Sequence, residues 1–264
     1  MNIINKNTLL AAILAGSVFS GYAKDTADAG FSLEAGTPLT EAVVDSCWAN
    51  REDEDNQKII ADYLMTKPEV PKNYATSWKT ARLVSFIGNF GVGQSRFVDT
   101  SKGVDLFDYG AKAGLQAQTL KPKSVEGYLW YAVDLGSYGL AKGVLAAASG
   151  AKPGMAALEK ARAINPSYEG YASQRILGRY YQELPGMFGG DMKQAESLIK
   201  GATDAAPKYR NNWVFLGQYY IAAGKYESAN LACKKVLELP ETEGKYEEMR
   251  FTKEANACLK KAHS

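Results

Sequence analysis

The feature that most constrains the fold of this chain is one order of small, aromatic and turn-forming residues that occurs twice in its C-terminal part. In residues 210–240 these positions are Trp213, Leu216, Gly217, Tyr220, Gly224, Ala229 and Pro240. In residues 168–207 they are Leu177, Gly178, Tyr181, Gly190, Ala195, Ala202 and Pro207. Small residues let two helices cross closely, a glycine opens the turn between them, and a proline ends the second helix. The order therefore predicts tandem pairs of antiparallel helices.

This order resembles the tetratricopeptide repeat, and it continues more loosely toward the N-terminus. Closing prolines at positions 122, 166, 207 and 240 lie about one repeat apart. Apolar residues recur every three or four positions, alternating β-branched runs are missing, and breaks are predicted at segments such as 150–154 and 165–167. We expect an all-α, tetratricopeptide-type helical-hairpin solenoid, with capping helices at both ends within residues 37–65 and 241–262.

The N-terminus has the order of a cleaved export signal. Lys6 precedes an apolar stretch over residues 9–19, and small residues lead up to Ala23. We expect cleavage after Ala23, a flexible segment over residues 24–36, a periplasmic location and a single helical-repeat domain over residues 37–264. A buried N-terminal helix is the alternative, which the order of charged, apolar and small residues disfavours.

Charge and histidine content narrow the function. The net charge is +2 with lysines interspersed among acids, so no strong field favours nucleic acid or an anionic membrane. The one histidine, His263, is the second-last residue, which leaves no imidazole for a catalytic triad or a zinc site in a cleft. A carboxylate pair or a lysine base remains possible in principle, but no spacing singles one out. We predict no enzyme activity, no cofactor and no metal.

An acidic run at residues 51–55 is predicted to be a solvated helix start or turn. A cation site is the alternative, but the run lacks the glycine and the spaced oxygens of a calcium loop.

The three cysteines leave two interpretations open. Cys47, Cys233 and Cys258 form no CxxC pair, which argues against a metal or thioredoxin-like site. Cys233 and Cys258 either bridge neighbouring helices in an oxidising compartment or fill small core positions separately.

Candidate binding residues follow from the repeat geometry, since the first helix of each pair lines the concave side of a stack. The predicted ligand- or partner-binding residues are Tyr128, Tyr131, Arg175, Arg179, Asn211 and Gln218. Arg175 and Arg179 share a helix face and could clamp a carboxylate. Pairing of the two arginines with Glu169, Glu183 or Asp191 is an equal alternative.

Two apolar segments are singled out as well. Aromatic residues within 126–134 predict either core packing between helices or an apolar groove for a hydrophobic ligand. The long turn at residues 184–190 carries Met187 and Phe188, which we predict to contact the scaffold or a partner. Gly190 and Asp191 are predicted to form a turn and a helix N-cap, since the strand and the lysine of a phosphate loop are missing.

The chain is also similar to the T-component family of TRAP transporters. The similarity is carried by residues 78–82, 126–132, 184–191, Ala195 and the repeat that ends at Pro240. The resemblance implies a periplasmic helical-repeat protein that pairs with a solute-binding protein, in some members as a trimer, and assists uptake of an organic or hydrophobic solute. Members of that family are often lipoproteins, whereas Lys24 follows the predicted cleavage site here, so no direct membrane anchor is expected.

Two functions are therefore expected. The first is a non-catalytic accessory component of a TRAP-type uptake system that docks on the solute-binding protein. The second is a generic cell-envelope scaffold that holds an extended peptide or protein partner in its groove.

Overall fold

The computed structural model describes residues 31–34, 36–91 and 101–263, and within these ranges the regular structure is entirely helical. The described helices form two compact units, which meet in sequence between Ile164 and Asn165. Unit 1 comprises the described residues up to Ile164, and unit 2 comprises residues 165–263. The sequence predicts one domain over 37–264 where the structure has two units, because each unit's helices pack chiefly on one another. The predicted export signal lies outside the described residues.

Unit 1 is built from helices joined by short turns. In the described residues they are α1 (Glu41–Ala49), α2 (Glu54–Met65), α3 (Tyr74–Asn89), α4 (Ser101–Leu120), α5 (Val125–Lys142) and α6 (Val144–Ile164). Side chains of Thr40, Asp53 and Asn73 accept backbone N–H groups at the starts of α1, α2 and α3. The acidic run at residues 51–55 is thus a turn that leads into the start of α2, as predicted, although Arg51 and Glu52 are half-buried and not fully solvated.

The predicted break at residues 150–154 is wrong. Helix α6 continues through this segment with Pro153 inside it, and the chain breaks instead at Gly143, where φ is 111°. Ala151, Leu158 and Ala161 are buried on α6, which packs on α5. This packing outweighs the loss of one backbone donor at the proline.

Unit 2 contains the repeats that the sequence predicts. Its helices are α7 (Tyr168–Glu183), α8 (Met192–Ala205), α9 (Arg210–Ala222), α10 (Tyr226–Glu238) and α11 (Lys245–Ala262). Gly224 turns the chain between α9 and α10 with φ of 70°, and Asp191 caps α8 through its side chain. The all-α helical-hairpin fold with capping helices is confirmed.

A disulfide joins the last two helices of unit 2. Cys233 on α10 and Cys258 on α11 are bonded, with Cα atoms 6.3 Å apart, which decides between the two interpretations of this pair. A Cβ atom at Gly217 of α9 would overlap the Cys233 sulfur, so the small residue of the repeat leaves room for the bridge. Cys47 is buried and free in unit 1, and burial raises the pKa of its thiol to about 12.

Helix α7 starts with an unusual turn. Glu169, Gly170 and Tyr171 have φ values of 54°, 59° and 65°, so three successive residues lie in the left-handed region before regular helix follows. Gly170 is required here, because a Cβ atom would also lie 2.6 Å from the Tyr209 ring.

Among the described residues, every helix is too short or too polar to cross a membrane.

Candidate functional site

The turn at residues 184–190, between α7 and α8, is an ordered structure. Its centre is a 3-10 turn, Gly186–Phe188, in which the Phe188 N–H donates to the Pro185 carbonyl at 2.8 Å. The Gly190 N–H donates to the same carbonyl at 3.1 Å, and the Asp191 N–H donates to the Tyr181 carbonyl at 2.9 Å. A Cβ atom at Gly190 would collide with the Leu184 carbonyl oxygen, which explains the glycine. The turn is therefore closed on itself by backbone bonds.

This closed turn presents apolar side chains to solvent. Met187 is 84% exposed, Phe188 is 42% exposed, and Met192 at the start of α8 is 38% exposed. Loops with such residues usually bury them against a scaffold or a partner. Contact with the scaffold and contact with a partner were the two predictions for these residues. Because Met187 is not buried against the scaffold, contact with a partner remains the prediction for it.

The predicted clamp residues of unit 2 are tied together across three helices. Arg179 Nη1 pairs with Glu183 Oε1 at 3.1 Å, and Arg179 Nη2 donates to Gln218 Oε1 on α9. Gln218 Nε2 donates to Glu254 Oε2 on α11 at 2.6 Å, and Glu254 Oε1 accepts from Arg250 at 2.5 Å. The alternative of pairing with Glu183 thus holds for Arg179, whose Nη1 and Nη2 are engaged within the fold, whereas its Nε has no hydrogen-bond partner among the described residues.

Arg175 lies one turn earlier and is fully buried, with 0% exposure. Its Nη1 donates to Asn212 Oδ1 at 2.6 Å and to the Gly170 carbonyl at 3.2 Å. Its guanidinium carbon lies 5.4 Å from the centres of the Tyr209 and Phe215 rings. Burial lowers the pKa of Arg175, while Tyr209, Glu169 and Glu243 act in the opposite direction.

The other predicted site residues are buried in unit 2 or belong to unit 1. Asn211 is buried at the start of α9. In unit 1, Tyr128 and Tyr131 are half-buried on α5, and the Tyr128 hydroxyl donates to the Pro122 carbonyl at 3.2 Å. Burial raises the pKa of Tyr131. Among the predicted groove residues, Arg179 and Gln218 are hydrogen-bonded to each other, and Arg175 and Arg179 both lie against the Phe215 ring.

The aromatic segment at residues 126–134 is mostly core. Trp130 is 1% exposed and Leu129 is fully buried in unit 1. A half-open cleft of about 520 Å³ lies elsewhere in unit 1, lined by residues 36–39 and by residues 66, 68, 69, 70, 71 and 72. No residue of the aromatic segment lines this cleft, so core packing is the better interpretation of the segment.

Sequence reasoning missed most of the buried polar residues, and three of them show what it lacked. Asn212 on α9 donates to the carbonyls of Ala202 and Gly170, at 3.0 and 3.1 Å. Glu248 on α11 pairs with buried Arg210 and accepts the backbone N–H groups of Thr242 and Glu243. The adjacent asparagines at the start of α9 were the available signal for Asn212. Nothing in the spacing distinguishes Glu248 from the other acids of α11.

The third missed residue is Asp134, which is completely buried on α5 of unit 1. Ser85 Oγ donates to its Oδ1 at 2.6 Å, and its Oδ2 has no hydrogen-bond partner among the described residues. Burial raises the pKa of this carboxyl well above its usual value, against the opposing effect of the Ser85 bond.

Comparisons with known proteins support the fold and nothing finer. No family model matches the chain, and no curated protein matches it. A crystal structure of a thermophilic TPR protein from Thermus thermophilus is similar to it, with a TM-score of 0.56 and 17% sequence identity. The similarity covers 83% of this chain and 96% of that protein, so the tetratricopeptide-type fold extends over most of the described helices.

Proposed function

We propose that this chain is an exported, non-catalytic protein-binding helical-repeat protein that docks on its partner through the 184–190 turn. The observation that carries the proposal is the closed turn with Met187 and Phe188 exposed beside Met192. A preformed turn loses little conformational entropy on binding, and its apolar side chains gain from leaving water. The tetratricopeptide-type fold supplies a rigid base for such a turn.

The resemblance to T-components names the partner in this proposal. It is the solute-binding protein of a TRAP-type uptake system, and the chain assists that protein in taking up an organic or hydrophobic solute. The homotrimer and the hydrophobic ligand that the resemblance implies belong to the same proposal. The similarity includes the 184–190 turn itself, which makes this segment the expected contact.

A periplasmic location is part of the proposal. The export signal read from the sequence and the Cys233–Cys258 disulfide both support it, because disulfides persist in oxidising compartments.

The groove-binding alternative has weaker support in unit 2. An open peptide groove needs donors and acceptors that face the ligand, as Arg175, Arg179, Asn211 and Gln218 were predicted to do. Three of these residues are buried, and Arg179 and Gln218 are bonded to each other.

Binding of the purified solute-binding protein tests the proposal. We expect the double variant M187D/F188D to bind at least about 30-fold more weakly in a biolayer interferometry titration, since a central apolar anchor contributes about 2 kcal/mol or more. The matched control is L231D on α10, because Leu231 is 66% exposed in the same unit but lies outside the turn.

Equal affinity of M187D/F188D and the wild-type chain would rule out docking through the turn. Absence of any binding to the solute-binding protein, with the chain folded, would instead reject the TRAP-type partner.

A further inference from the structure

The carboxyl group of Asp134 is enclosed inside unit 1 at both of its oxygens. The side chain comes from α5 and is 0% exposed. Ser85 Oγ of α3 donates to Oδ1 at 2.6 Å, and Oδ2 has no hydrogen-bond partner among the described residues. A Cβ atom at Gly110 of α4 would overlap Oδ2 and would lie 2.5 Å from Val84 Cγ1. Oδ2 therefore lies against the backbone of α4, and no water molecule fits between them.

The two helices α4 and α5 lie with their backbones close together along this contact. A Cβ atom at Gly114 of α4 would lie 2.7 Å from the backbone of Tyr131 on α5. A Cβ atom at Gly127 of α5 would likewise lie 2.7 Å from the backbone nitrogen of Gln118 on α4. Because glycines let the helices pack without a gap, water can reach Oδ2 only if α4 moves away from α5.

The closed contact suits a protonated carboxyl and not an ionised one. A carboxylate offers about four acceptor positions, and here the Ser85 hydroxyl fills one of them. A buried charge without compensating partners is costly, whereas the protonated group is neutral. Burial accordingly raises the pKa of Asp134 well above its usual value, against the opposing effect of the Ser85 hydrogen bond.

The helices packed against α5 present no charged side chain that replaces the missing partners. These helices are α3, α4 and α6, and each of their charged residues is exposed or half-buried. Tyr109 of α4 is buried, but its hydroxyl is neutral, and burial raises its pKa. The charged residues of α3 and the two that flank Gly110 on α4 are Lys79, Arg82, Asp108 and Lys112. The pKa of Asp134 is shifted by burial and by the Ser85 bond, and by none of these charges.

We propose that α4 separates from α3 and α5 around Gly110 when Asp134 loses its proton, so that unit 1 opens locally as the pH rises. The ionised carboxyl is stabilised by water that enters once α4 has moved. Phe107, which is fully buried on α4 against Gly88 of α3, becomes exposed in the open state. This opening does not depend on docking through the 184–190 turn, so the two proposals fail separately.

The direction and steepness of the response follow from proton linkage. The carboxyl has an ordinary pKa in the open state and a raised pKa in the closed state, so the closed state holds a proton that the open state releases. The open fraction is constant below the open-state pKa. Above it, the open fraction rises by up to about tenfold per pH unit until the closed-state pKa is reached. Alkaline pH therefore favours opening, and acidic pH opposes it.

Amide hydrogen exchange of the full chain at about pH 5 and about pH 8 tests the opening. We expect the protection factors over residues 107–114 of the wild-type chain to fall by at least about tenfold between these values. D134N cannot ionise, so its protection factors should stay within about twofold. The control D108N removes an acid of α4 that pairs with Lys112 at the surface, and it should respond as the wild-type chain does.

The amides of α6 in unit 1 and of α9 in unit 2 are the internal references. A fall in protection that is confined to α4 and to the turns of α3 and α5 that face it supports local opening, whether or not D134N folds. An equal fall across α6 would show that unit 1 unfolds as a whole and would overturn the proposal. Constant protection in the wild-type chain, or the same fall in folded D134N, would overturn it as well.

An apolar dye provides a second measurement of the open state. Fluorescence of anilinonaphthalene sulfonate should increase with pH in the presence of the wild-type chain, because buried apolar side chains of α4 become accessible. The increase should be absent with D134N. Fluorescence that does not change with pH in the wild-type chain, or that changes equally in D134N, would contradict the opening.

Discussion

The two units of this chain are both helical, but they bury different kinds of side chain. Unit 1 buries large apolar side chains such as Phe86, Phe107 and Trp130, together with the carboxyl of Asp134. Unit 2 buries Arg175, Arg179 and other charged groups, and it adds a disulfide. Buried charges need fixed partners whereas apolar residues need only volume, so unit 2 is the unit whose geometry is more narrowly specified.

The largest effect is expected at the buried ion pair of unit 2. The change E248Q removes the buried carboxylate that faces Arg210 while keeping the size of the side chain, and it leaves Arg210 only the exposed Glu241, at 3.8 Å. A buried charge that loses its buried partner destabilises the fold by about 3–5 kcal/mol. Chemical unfolding followed by circular dichroism measures the loss. The control E238Q breaks an exposed pair with Lys235 and should cost less than about 1 kcal/mol. Similar losses in both variants would show that burial of the charge does not matter here.

A somewhat smaller effect is expected from the disulfide. The double variant C233S/C258S should lose about 2–4 kcal/mol of unfolding free energy, because the bridge restricts the unfolded chain. Dithiothreitol should lower the unfolding midpoint of C47S as it does for the wild-type chain, and it should not change the double variant. A mass spectrum of the unreduced chain with three free thiols would contradict the bridge outright.

The smallest change in unfolding free energy is expected in unit 1, where the substitution should stabilise the fold instead of destabilising it. The raised pKa of Asp134 means that the folded state holds a proton that the unfolded state has released, so stability falls as pH rises from the unfolded pKa through the folded one. D134N cannot ionise and should be more stable than the wild-type chain at pH 8, on the order of 1 kcal/mol. The control D62N, at an exposed position of α2, should keep the pH dependence of the wild-type chain.

A wild-type chain whose stability did not fall over this pH range relative to D134N would show that Asp134 is not held protonated. Unit 1 would then not contain a buried, protonated carboxyl.

The sequence predicts the structure of unit 2 well at positions where a single residue allows a close helix contact, forms a turn or caps a helix. Gly217 lies where α9 approaches Cys233, Gly224 turns the chain, and Asp191 caps α8, and each was assigned from its position in the repeat. The sequence predicts the structure less well where a helix boundary or a side-chain contact depends on residues that are distant in the chain. The local pattern around Pro153 predicts a break, because the packing of α6 on α5 is not visible in that pattern.

The candidate site residues also differ in how well the sequence predicts their surroundings. The apolar residues of the long turn predict contact of Met187 and Phe188 with the scaffold or a partner, and the structure leaves Met187 84% and Phe188 42% exposed. The difference between Arg175 and Arg179 could not be anticipated, because it depends on Asn212, Gln218 and Glu254 on other helices. Pairings of that kind are fixed by tertiary structure and not by spacing along α7.

Amide hydrogen exchange of the chain with and without its solute-binding protein tests the central claim most directly. Docking through the 184–190 turn predicts that the amides of Met187, Phe188 and their neighbours exchange more slowly in the complex. Exchange in α9 and α10 should change little. Protection confined to the first helices of the repeats, with the turn unchanged, would contradict the account.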